Sequence, residues 1–501
     1  MTSTTRPPSA LASLQPVGVW KLFSEIAAIP RPSKREDRVR AWILNFARLR
    51  GLSTREDRVG NVVVQVPASR GKEAVPVTVL QAHLDMVCEK NADVSHDFDQ
   101  EGIRPIVEED RRTRRTVVRA DRTTLGADNG IGVAMALALA SDTETVHGPL
   151  ELLLTVDEEA GMTGAKGLSP ELVTGRRMLN LDSEEDDSLY IGCAGGGDVV
   201  VRWSLSARPV GEEQTACRVL VRGLRGGHSG GDIHEGRGNA IKLLARVLHR
   251  VERRGLHVSS LEGGSLRNAI PREARATLVG DADLLDRLRV ACAAVQAEAT
   301  KESLESGASI TVEPLPSTRD VVAATQAEGG RVLDALLALP NGVLGMHPTI
   351  KGLVETSNNL ATLRTERAGN KLKIEACSLA RSSSESRKQE TIAQIAAVAR
   401  LAGGSVETSN EYPGWSPNAD SPLLGVCRRV YERLFSYAPT VAAIHAGLEC
   451  GILQQRLPGM DVVSLGPTIV GAHSPDEHVF VDSVQKCWRY LRALLVELAA
   501  T

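Results

Sequence analysis

Three short apolar segments of this chain each lead into side chains that are charged or carry an imidazole. The segments, each with the residues that follow it, are Val77–Leu80 with Gln81-Ala82-His83, Leu150–Val156 with Asp157-Glu158-Glu159, and Met178–Leu181 with Asp182. Short runs rich in Val and Leu are typical of strands buried on both faces. Helical patterns such as Ile131–Ala140 lie between them. The alternation predicts an α/β layer with a mostly parallel central sheet, whose ligands bind at the carboxyl ends of the strands.

A second domain interrupts this pattern. After Gly195-Gly196-Gly197, which we interpret as a flexible joint, strand-like segments alternate with amphipathic helices as far as Gly403-Gly404. The α/β pattern then returns. A chain of 501 residues is long enough for roughly two to four domains of ordinary size. We predict an α/β domain split into residues 1–196 and 406–501, with an α+β domain inserted at 197–405.

The composition excludes several classes of partner. The formal net charge is −3 and 3% of the residues are aromatic, so neither a basic surface for nucleic acid nor a base-stacking platform is indicated. No apolar run approaches the length of a membrane span, and the N-terminus lacks the features of a signal peptide. The eight cysteines are scattered without a C-x-x-C pair, as in reduced cytosolic proteins. We therefore expect a cytoplasmic protein that binds neither nucleic acid nor membranes.

Five residues near predicted strand ends or in Gly-rich turns carry side chains that bind divalent metals. They are His83, Asp128, Glu159, Asp182 and His473. Such a set can hold two ions if one carboxylate is shared, and Asp128 is the best bridge because small and turn residues flank it. Two dications are then balanced by three carboxylates and one bridging hydroxide. Each ion keeps an open position, as catalytic Zn²⁺ does, and Co²⁺ or Mn²⁺ would suit the same ligands.

Two further acids complete the predicted site. Asp85 lies two residues after His83, so on an extended segment it points to the same side and accepts the other imidazole N–H. Glu158 adjoins Glu159 and suits a general base beside a metal-activated water. Taken singly, the motifs have simpler interpretations: a surface His-x-Asp pair, a solvated acidic turn, and an N-cap at Asp128. Their number and order favour the metal site.

The ordered motifs resemble those of the M20 metallopeptidase family. They are Gln81-Ala82-His83-Leu84-Asp85-Met86-Val87, Thr124-Leu125-Gly126-Ala127-Asp128-Asn129-Gly130-Ile131-Gly132, Asp157-Glu158-Glu159-Ala160-Gly161-Met162, Asn180-Leu181-Asp182-Ser183-Glu184-Glu185 and Ala472-His473-Ser474-Pro475-Asp476-Glu477. Longer motifs, including His445-Ala446-Gly447-Leu448-Glu449-Cys450, narrow the resemblance to a branch of bacterial dipeptidases active on aminoacyl-histidines. It extends from Val19 to Leu498. Two positions depart from the family pattern: Ala472 stands where Pro is usual, and Asn358 where an apolar residue is usual.

The resemblance implies a zinc-dependent dipeptidase with a zinc-peptidase catalytic domain. The ligands that it implies are Asp128 as the bridge, His83 and Asp182 for one ion, and Glu159 and His473 for the other. Glu158 is the implied base, acting on the bridging hydroxide, and Asp85 orients the imidazole. The inserted domain is then a lid that carries substrate contacts and the surface of a homodimer. The implied substrates are dipeptides with a free amino terminus, including Xaa-His.

Four further residues are candidate substrate contacts. His228 lies in a Gly-rich turn, where its imidazole either binds the scissile carbonyl oxygen as negative charge develops or only bonds to backbone. Asn268 and Arg381 are candidates for the substrate carboxylate, since the planar guanidinium fits that group. Glu449 is a candidate for the substrate's amino group.

Other functions fit parts of the pattern. Another M20 amidohydrolase, such as an N-acyl amino-acid deacylase or a carboxypeptidase, would not select for a free α-amine. A non-catalytic scaffold usually loses a ligand or the base, whereas all seven key residues are present here. A purely structural zinc site is normally closed by four protein ligands, which the proposed sharing of Asp128 does not provide.

Overall fold

The computed structural model of the chain describes residues 10–211, 213–302, 307–318 and 321–500. These residues form two compact units. The first unit comprises the described residues up to Gly192, then Pro417–Ala443, and the described residues from Leu448 onward. The second comprises the described residues of Cys193–Ser416, together with Ile444–Gly447.

The elements up to residue 193 are a mixture of helices and strands, and a helix separates each of the strands Thr78–His83, Leu150–Thr155 and Arg177–Asn180 from the next of the three. The helices are α1 Val17–Ala27, α2 Asp37–Leu49, α3 Ala127–Leu139 and α4 Thr163–Gly167, and the strands are β1 Ser53–Glu56, β2 Val62–Val66, β3 Thr78–His83, β4 Ile106–Glu109, β5 Thr116–Arg119, β6 Leu150–Thr155, β7 Arg177–Asn180 and β8 Ser188–Cys193. Short 3-10 turns occur at Ala10–Ser13 and Pro170–Leu172.

The second unit is built mainly from long antiparallel strands. Its strands are β9 Gly195–Pro209, β10 Thr215–Arg222, β11 Gly227–His228, β12 His257–Gly263, β13 Ala269–Ile270, β14 Ala274–Gly280, β15 Ser309–Pro314, β16 Val322–Ala324, β17 Gly342–Met346, β18 Val354–Ala368, β19 Lys371–Ser382 and β20 Ser405–Tyr412, and its helices are α5 Ala240–Arg250, α6 Leu284–Lys301, α7 Gln326–Ala338 and α8 Glu385–Leu401. Ten strands form one sheet in the order β15-β10-β14-β12-β18-β19-β9-β16, with β17 beside β18 and β20 beside β9.

The final elements complete the first unit. They are α9 Pro422–Phe435, β21 Thr440–Ile444, α10 Glu449–Arg456, β22 Asp461–Ser464, β23 Ile469–Val470, β24 His478–Phe480 and α11 Val481–Leu498. The main sheet of this unit has the order β1-β2-β6-β3-β7-β22-β8-β21, and a four-stranded sheet has the order β23-β24-β5-β4. In the main sheet β6, β3, β7 and β22 run parallel to one another, whereas β2 is antiparallel to both β1 and β6, and β8 is antiparallel to β22. The prediction of a mostly parallel central sheet in an α/β layer is confirmed.

The parallel register brings the polar segments after the strands to one edge. His83 at the end of β3 lies opposite Thr155 at the end of β6, and Gln81 lies opposite Asn180 at the end of β7. Every residue of β3 and β6 is buried. Helices cover both faces of such a sheet, so the loops that follow the strands are the part left for ligands.

The glycines near residue 195 do not form the flexible joint that we expected. Gly195 begins β9 and pairs with Ser382 of β19. A Cβ atom at Gly195 would lie 2.4 Å from the backbone nitrogen of Gly414 and 2.5 Å from the carbonyl carbon of Pro413. Glycine is required here because two backbones approach closely, which a sequence reading does not distinguish from a hinge.

Two expectations drawn from composition can be compared with the fold. Within the described residues, no helix is both long and apolar enough to cross a membrane. The eight cysteines all lie in the described part of the chain, and none of them forms a disulfide.

Candidate metal centre

Five loops and strand ends of the first unit bring the seven predicted residues together. His83 is the last residue of β3, Glu159 follows β6, and Asp182 follows β7. Asp128 is the second residue of α3, where its φ of −79° and ψ of 109° are not helical and a cis peptide bond joins it to Asn129. His473 lies in the connection between β23 and β24 and has a φ of +64°.

The side chains form two groups that share Asp128. In the first group, Nε2 of His83 lies 3.0 Å from Oδ1 of Asp128 and 3.3 Å from Oδ1 of Asp182. In the second, Nε2 of His473 lies 3.3 Å from Oδ2 of Asp128 and 2.9 Å from Oε2 of Glu159. Within each group the ligand atoms all lie within 4.8 Å of one another. The two oxygens of Asp128 therefore face different imidazoles, as a bridging carboxylate requires.

The two groups differ in exposure. The His83 side chain is 1% exposed, whereas the His473 side chain is 55% exposed. Solvent therefore reaches the second group at His473, whereas protein encloses His83 in the first group.

Asp85 holds three parts of the centre together. Its Oδ1 lies 3.3 Å from Nδ1 of His83 and accepts a hydrogen bond of 3.0 Å from the backbone N–H of Glu158. Its Oδ2 accepts from the backbone N–H of Glu159 at 3.1 Å and from the hydroxyl of Ser33 at 2.7 Å. Burial opposes ionisation, but the imidazole and these donors lower the pKa of Asp85 to about 2. The residue predicted to orient the imidazole thus also fixes the loop that carries both glutamates.

The adjacent glutamates have different surroundings. The Glu159 side chain is 5% exposed and faces His473, and its Oε1 is buried without a hydrogen-bond partner among the described residues. Glu158 is half-buried and lies outside both groups that contain Asp128, although it can approach His83 and Glu159. Burial raises the pKa of Glu158 well above its ordinary value, and the nearby carboxylates of Asp182 and Glu159 add to this.

The electrostatics of the centre indicate a need for positive charge. Hydrogen bonds to Asp128 and Glu159 raise the pKa of His473 to about 11. Burial lowers the pKa of His83, but the neighbouring carboxylates outweigh this effect and raise it well above its ordinary value. Burial raises the pKa of Asp182 to about 6. Each imidazole thus faces carboxylates that favour a positive charge, at positions where cations would satisfy the same oxygens.

The donor set fits two divalent ions. Each group offers one imidazole nitrogen and two carboxylates, and the buried Oε1 of Glu159 has no donor to satisfy it. Three protein ligands per ion leave positions open, which is the coordination of catalytic rather than structural zinc. The residues present therefore fit the metals that the sequence predicts.

Two buried residues near this centre were missed by the sequence analysis. Arg31 donates to the carbonyl oxygens of Leu84 and Asp85, and Glu477 accepts from the backbone N–H groups that lead to Asp128. Glu477 falls within one of the motifs quoted above, but nothing about a glutamate near a histidine predicts burial. Arg31 lies between two prolines, and no other feature of the sequence around it indicates burial or a role near the centre.

Glu449, the candidate for the substrate's amino group, is fully buried at the start of α10. Its Oε2 accepts hydrogen bonds from Gln81 at 2.8 Å and from Thr155 at 2.6 Å, and its Oε1 has no partner among the described residues. Burial raises the pKa of Glu449 to about 8. The carboxylate thus joins the ends of β3 and β6, and its contact with a substrate amine stays a prediction.

The other candidate substrate contacts belong to the second unit. His228 is exposed, and its Nδ1 accepts from the backbone N–H groups of Gly230 and Gly231 at 3.3 and 3.0 Å. Asn268 is also exposed. Arg381 is buried, and its guanidinium donates to the Tyr412 hydroxyl at 2.9 Å while Nε has no acceptor among the described residues.

A buried histidine of the second unit was not predicted as a contact. Nε2 of His445 lies 2.7 Å from the Ser357 hydroxyl, and its Nδ1 is buried without a partner among the described residues. Burial, with the positive charge of Arg381, lowers the pKa of His445 to about 3, so the imidazole is neutral.

Comparisons with known proteins agree on one family. The sequence profile of peptidase family M20/M25/M40 matches residues 125–497. The chain is 41% identical over 493 residues to the cytosol non-specific dipeptidase of Escherichia coli (strain K12), covering 98% of this chain and 100% of that protein. The crystal structure of aminoacylhistidine dipeptidase from Vibrio alginolyticus matches with a TM-score of 0.88 and 41% identity, over 97% of this chain and 98% of that one. Aminopeptidase PepT from Bacillus cereus has the same fold, with a TM-score of 0.58 and 16% identity over 97% and 99% of the two chains.

Proposed function

Because the chain belongs to peptidase family M20/M25/M40, we propose that it is a metal-dependent dipeptidase of broad specificity. The observation that carries the proposal is the pair of ligand groups that share Asp128, with Glu158 beside them but outside both. The 41% identity to a dipeptidase over nearly the whole chain supports dipeptides as the substrates.

The ligand groups would hold two ions. One ion would be bound by His83, Asp128 and Asp182, and the other by Asp128, Glu159 and His473. We assign Zn²⁺, because imidazole and carboxylate ligands with an open position suit it, and Co²⁺ or Mn²⁺ would suit the same ligands. When bound, the ions would make a water molecule more acidic and polarise the peptide carbonyl.

The protein's own residues would move the proton. Glu158 is the general base: it accepts a proton from the attacking water and delivers it to the leaving amine. Its backbone N–H is held by Asp85, so the loop that carries it is fixed relative to His83. A carboxylate that binds no metal is free to change its protonation state during the reaction.

The second unit would supply the remaining contacts. We assign residues 197–405 as a lid in which His228 binds the developing oxyanion and Asn268 and Arg381 bind the substrate carboxylate. The buried guanidinium of Arg381 supports this assignment, because its Nε has no acceptor among the described residues. We further propose that the protein is a cytoplasmic homodimer, as the cytosolic relative suggests for the compartment.

Hydrolysis of Ala-His with and without metal tests the function. Protein stripped with a chelator, with metal removal verified by elemental analysis, is expected to lose hydrolysis, and added zinc should restore it. N-acetyl-Ala-His is the matched control, because only the amino group differs, and it should be a poor substrate. Full turnover by verified metal-free protein contradicts the metal-dependent mechanism, and faster cleavage of the acetylated peptide indicates a deacylase or carboxypeptidase instead.

A further inference from the structure

The peptide groups of Gly126 are held from two sides by buried charged residues. The backbone N–H of Gly126 donates to Oε2 of Glu477 at 2.9 Å, and its carbonyl oxygen accepts from a terminal nitrogen of Arg31. We propose that Arg31 and Glu477 are positioning residues that fix the turn at 125–128 and thereby set the affinity for the two cations that Asp128 would bridge. This inference rests on the metal-dependent function proposed above.

Arg31 connects the turn to the strand end that carries His83. One terminal nitrogen of its guanidinium donates to the carbonyl oxygens of Leu84 at 2.9 Å and Asp85 at 2.6 Å, and the other donates to Gly126. The residue is 1% exposed. A planar fork with several donors can satisfy carbonyls on two separate segments at once, which the single ammonium of lysine does less well.

Glu477 connects the same turn to the loop that carries His473. Its Oε2 accepts from the backbone N–H groups of Leu125 and Gly126 at 2.7 and 2.9 Å, and its Oε1 accepts from those of Ala127 and Asp128 at 2.7 and 3.3 Å. The residue is 2% exposed. Four successive donors converge on one carboxylate, so both oxygens must be acceptors. A glutamine would turn an N–H group toward two of these donors.

Two glycines of the Asp128 motif make room for Arg31, which together with Glu477 forms what we call the clamp. Gly126 has a φ of +68°, and a Cβ atom there would lie 2.5 Å from the Arg31 guanidinium. A Cβ atom at Gly130 would lie 2.8 Å from the same guanidinium and 3.0 Å from the ring of Phe23. Metal binding by Asp128 does not by itself require glycine at these two positions. The space that the Arg31 guanidinium occupies does require it.

The clamp determines where Asp128 lies relative to both imidazoles. Oδ1 and Oδ2 of Asp128 face His83 and His473, which lie on separate segments. Arg31 bonds to the segment after His83, and Glu477 lies four residues after His473. The two residues thus tie the shared carboxylate to the segments that carry both of its partners. If either bond is lost, the turn can shift and the oxygens no longer match both ions.

Zinc affinity of Arg31→Lys and Glu477→Gln tests the clamp. We expect each variant to bind zinc about 10–100-fold more weakly, as is usual when residues supporting a metal ligand are changed. Affinity is measured by competition with a chromogenic chelator. The melting temperature is measured for metal-free and zinc-loaded protein, and the rise on zinc loading should shrink in both variants.

Glu151→Gln is the matched control. Glu151 is also buried and accepts from the backbone N–H groups of Thr174 and Gly175, but it lies at the other end of β6. This variant should lower the melting temperatures of both forms alike and leave the rise on zinc loading unchanged. If Arg31→Lys does not fold, Gly130→Ala displaces the same guanidinium and should also weaken zinc binding.

The outcomes separate the clamp from the proposed function. Wild-type zinc affinity in Glu477→Gln and in Arg31→Lys or Gly130→Ala overturns the clamp, as does an equal loss of melting temperature in metal-free and loaded forms. A wild-type protein that binds fewer than two zinc ions overturns both the clamp and the metal centre. A wild-type protein that binds two zinc ions without cleaving dipeptides overturns the proposed function alone.

Discussion

Replacing Glu158 with Gln should abolish most of the activity without removing metal. Glutamine keeps the size of the side chain but cannot take a proton from water. Glu158 lies outside both groups that contain Asp128, so both ions retain their three ligands in the variant. Loss of a general base typically lowers kcat by about 10²–10⁴. That range corresponds to about 3–5 kcal/mol of transition-state stabilisation.

Glu159→Gln is the matched variant, because the same change is made one residue along the chain. Oε2 of Glu159 lies 2.9 Å from Nε2 of His473, and this carboxylate is one of three ligands of the second group. The variant should therefore hold less metal, and excess zinc should restore part of its activity. The structure thus predicts that metal content stays unchanged in Glu158→Gln and falls in Glu159→Gln.

The assay combines elemental analysis of the purified variants with steady-state hydrolysis of Ala-His. Both are measured at a fixed excess of zinc and after its removal by gel filtration. If Glu158→Gln emerges with an empty site while Glu159→Gln keeps both ions, the two roles are exchanged. If Glu158→Gln keeps both ions and full kcat, the residue is not the base.

Three further predictions concern other parts of the chain. His228→Ala should lower kcat by about 10²–10³ with metal content intact, the scale of one lost oxyanion donor, whereas a change in KM alone would mean uniform binding. Gly195→Ala should lower the melting temperature, because the new Cβ would lie 2.4 Å from the Gly414 nitrogen; an unchanged value would favour the flexible joint. Burial and Arg381 lower the pKa of His445 to about 3, whereas its pKa in the unfolded chain is about 6.5. As the pH falls below about 6.5 the unfolded state takes up the proton first, so the free energy of unfolding decreases. Urea unfolding of metal-free protein should lose about 2 kcal/mol less between pH 7 and pH 5 in His445→Gln than in the wild type, and equal losses would contradict a buried neutral imidazole.

Local patterns were sufficient to predict the strands that carry or precede three of the proposed metal ligands, His83, Glu159 and Asp182. The run Val77–Leu80, predicted to lead into His83, lies almost entirely in β3 Thr78–His83, and the run Leu150–Val156 is β6 with one residue fewer. These segments are short and mostly apolar, so they are buried in almost any arrangement of the chain. The helix that the sequence predicts from Ile131 begins at Ala127 in the structure. Its first turn includes Asp128 and Asn129, whose backbone angles are not helical, and the regular helix follows them.

The parts that could not be predicted depend on contacts between distant segments. β18 is 15 residues long, yet its first half contains Glu355 and two asparagines, and so it lacks an apolar pattern. The close approach of Gly195 to Gly414 joins residues more than two hundred positions apart. Arg31 and Glu477 look like surface charges in the sequence, and only the folded chain shows that backbone groups of a remote turn satisfy them.

The order of the ligands along the chain has a consequence for biosynthesis. His83, Asp128, Glu159 and Asp182 are translated before the whole of the second unit, whereas His473 and Glu477 are translated after it. A nascent chain that has just completed the second unit contains His83, Asp128 and Asp182, but it has neither His473 nor Glu477. In the proposed centre, the group that contains His473 would therefore be completed only after synthesis has passed residue 473.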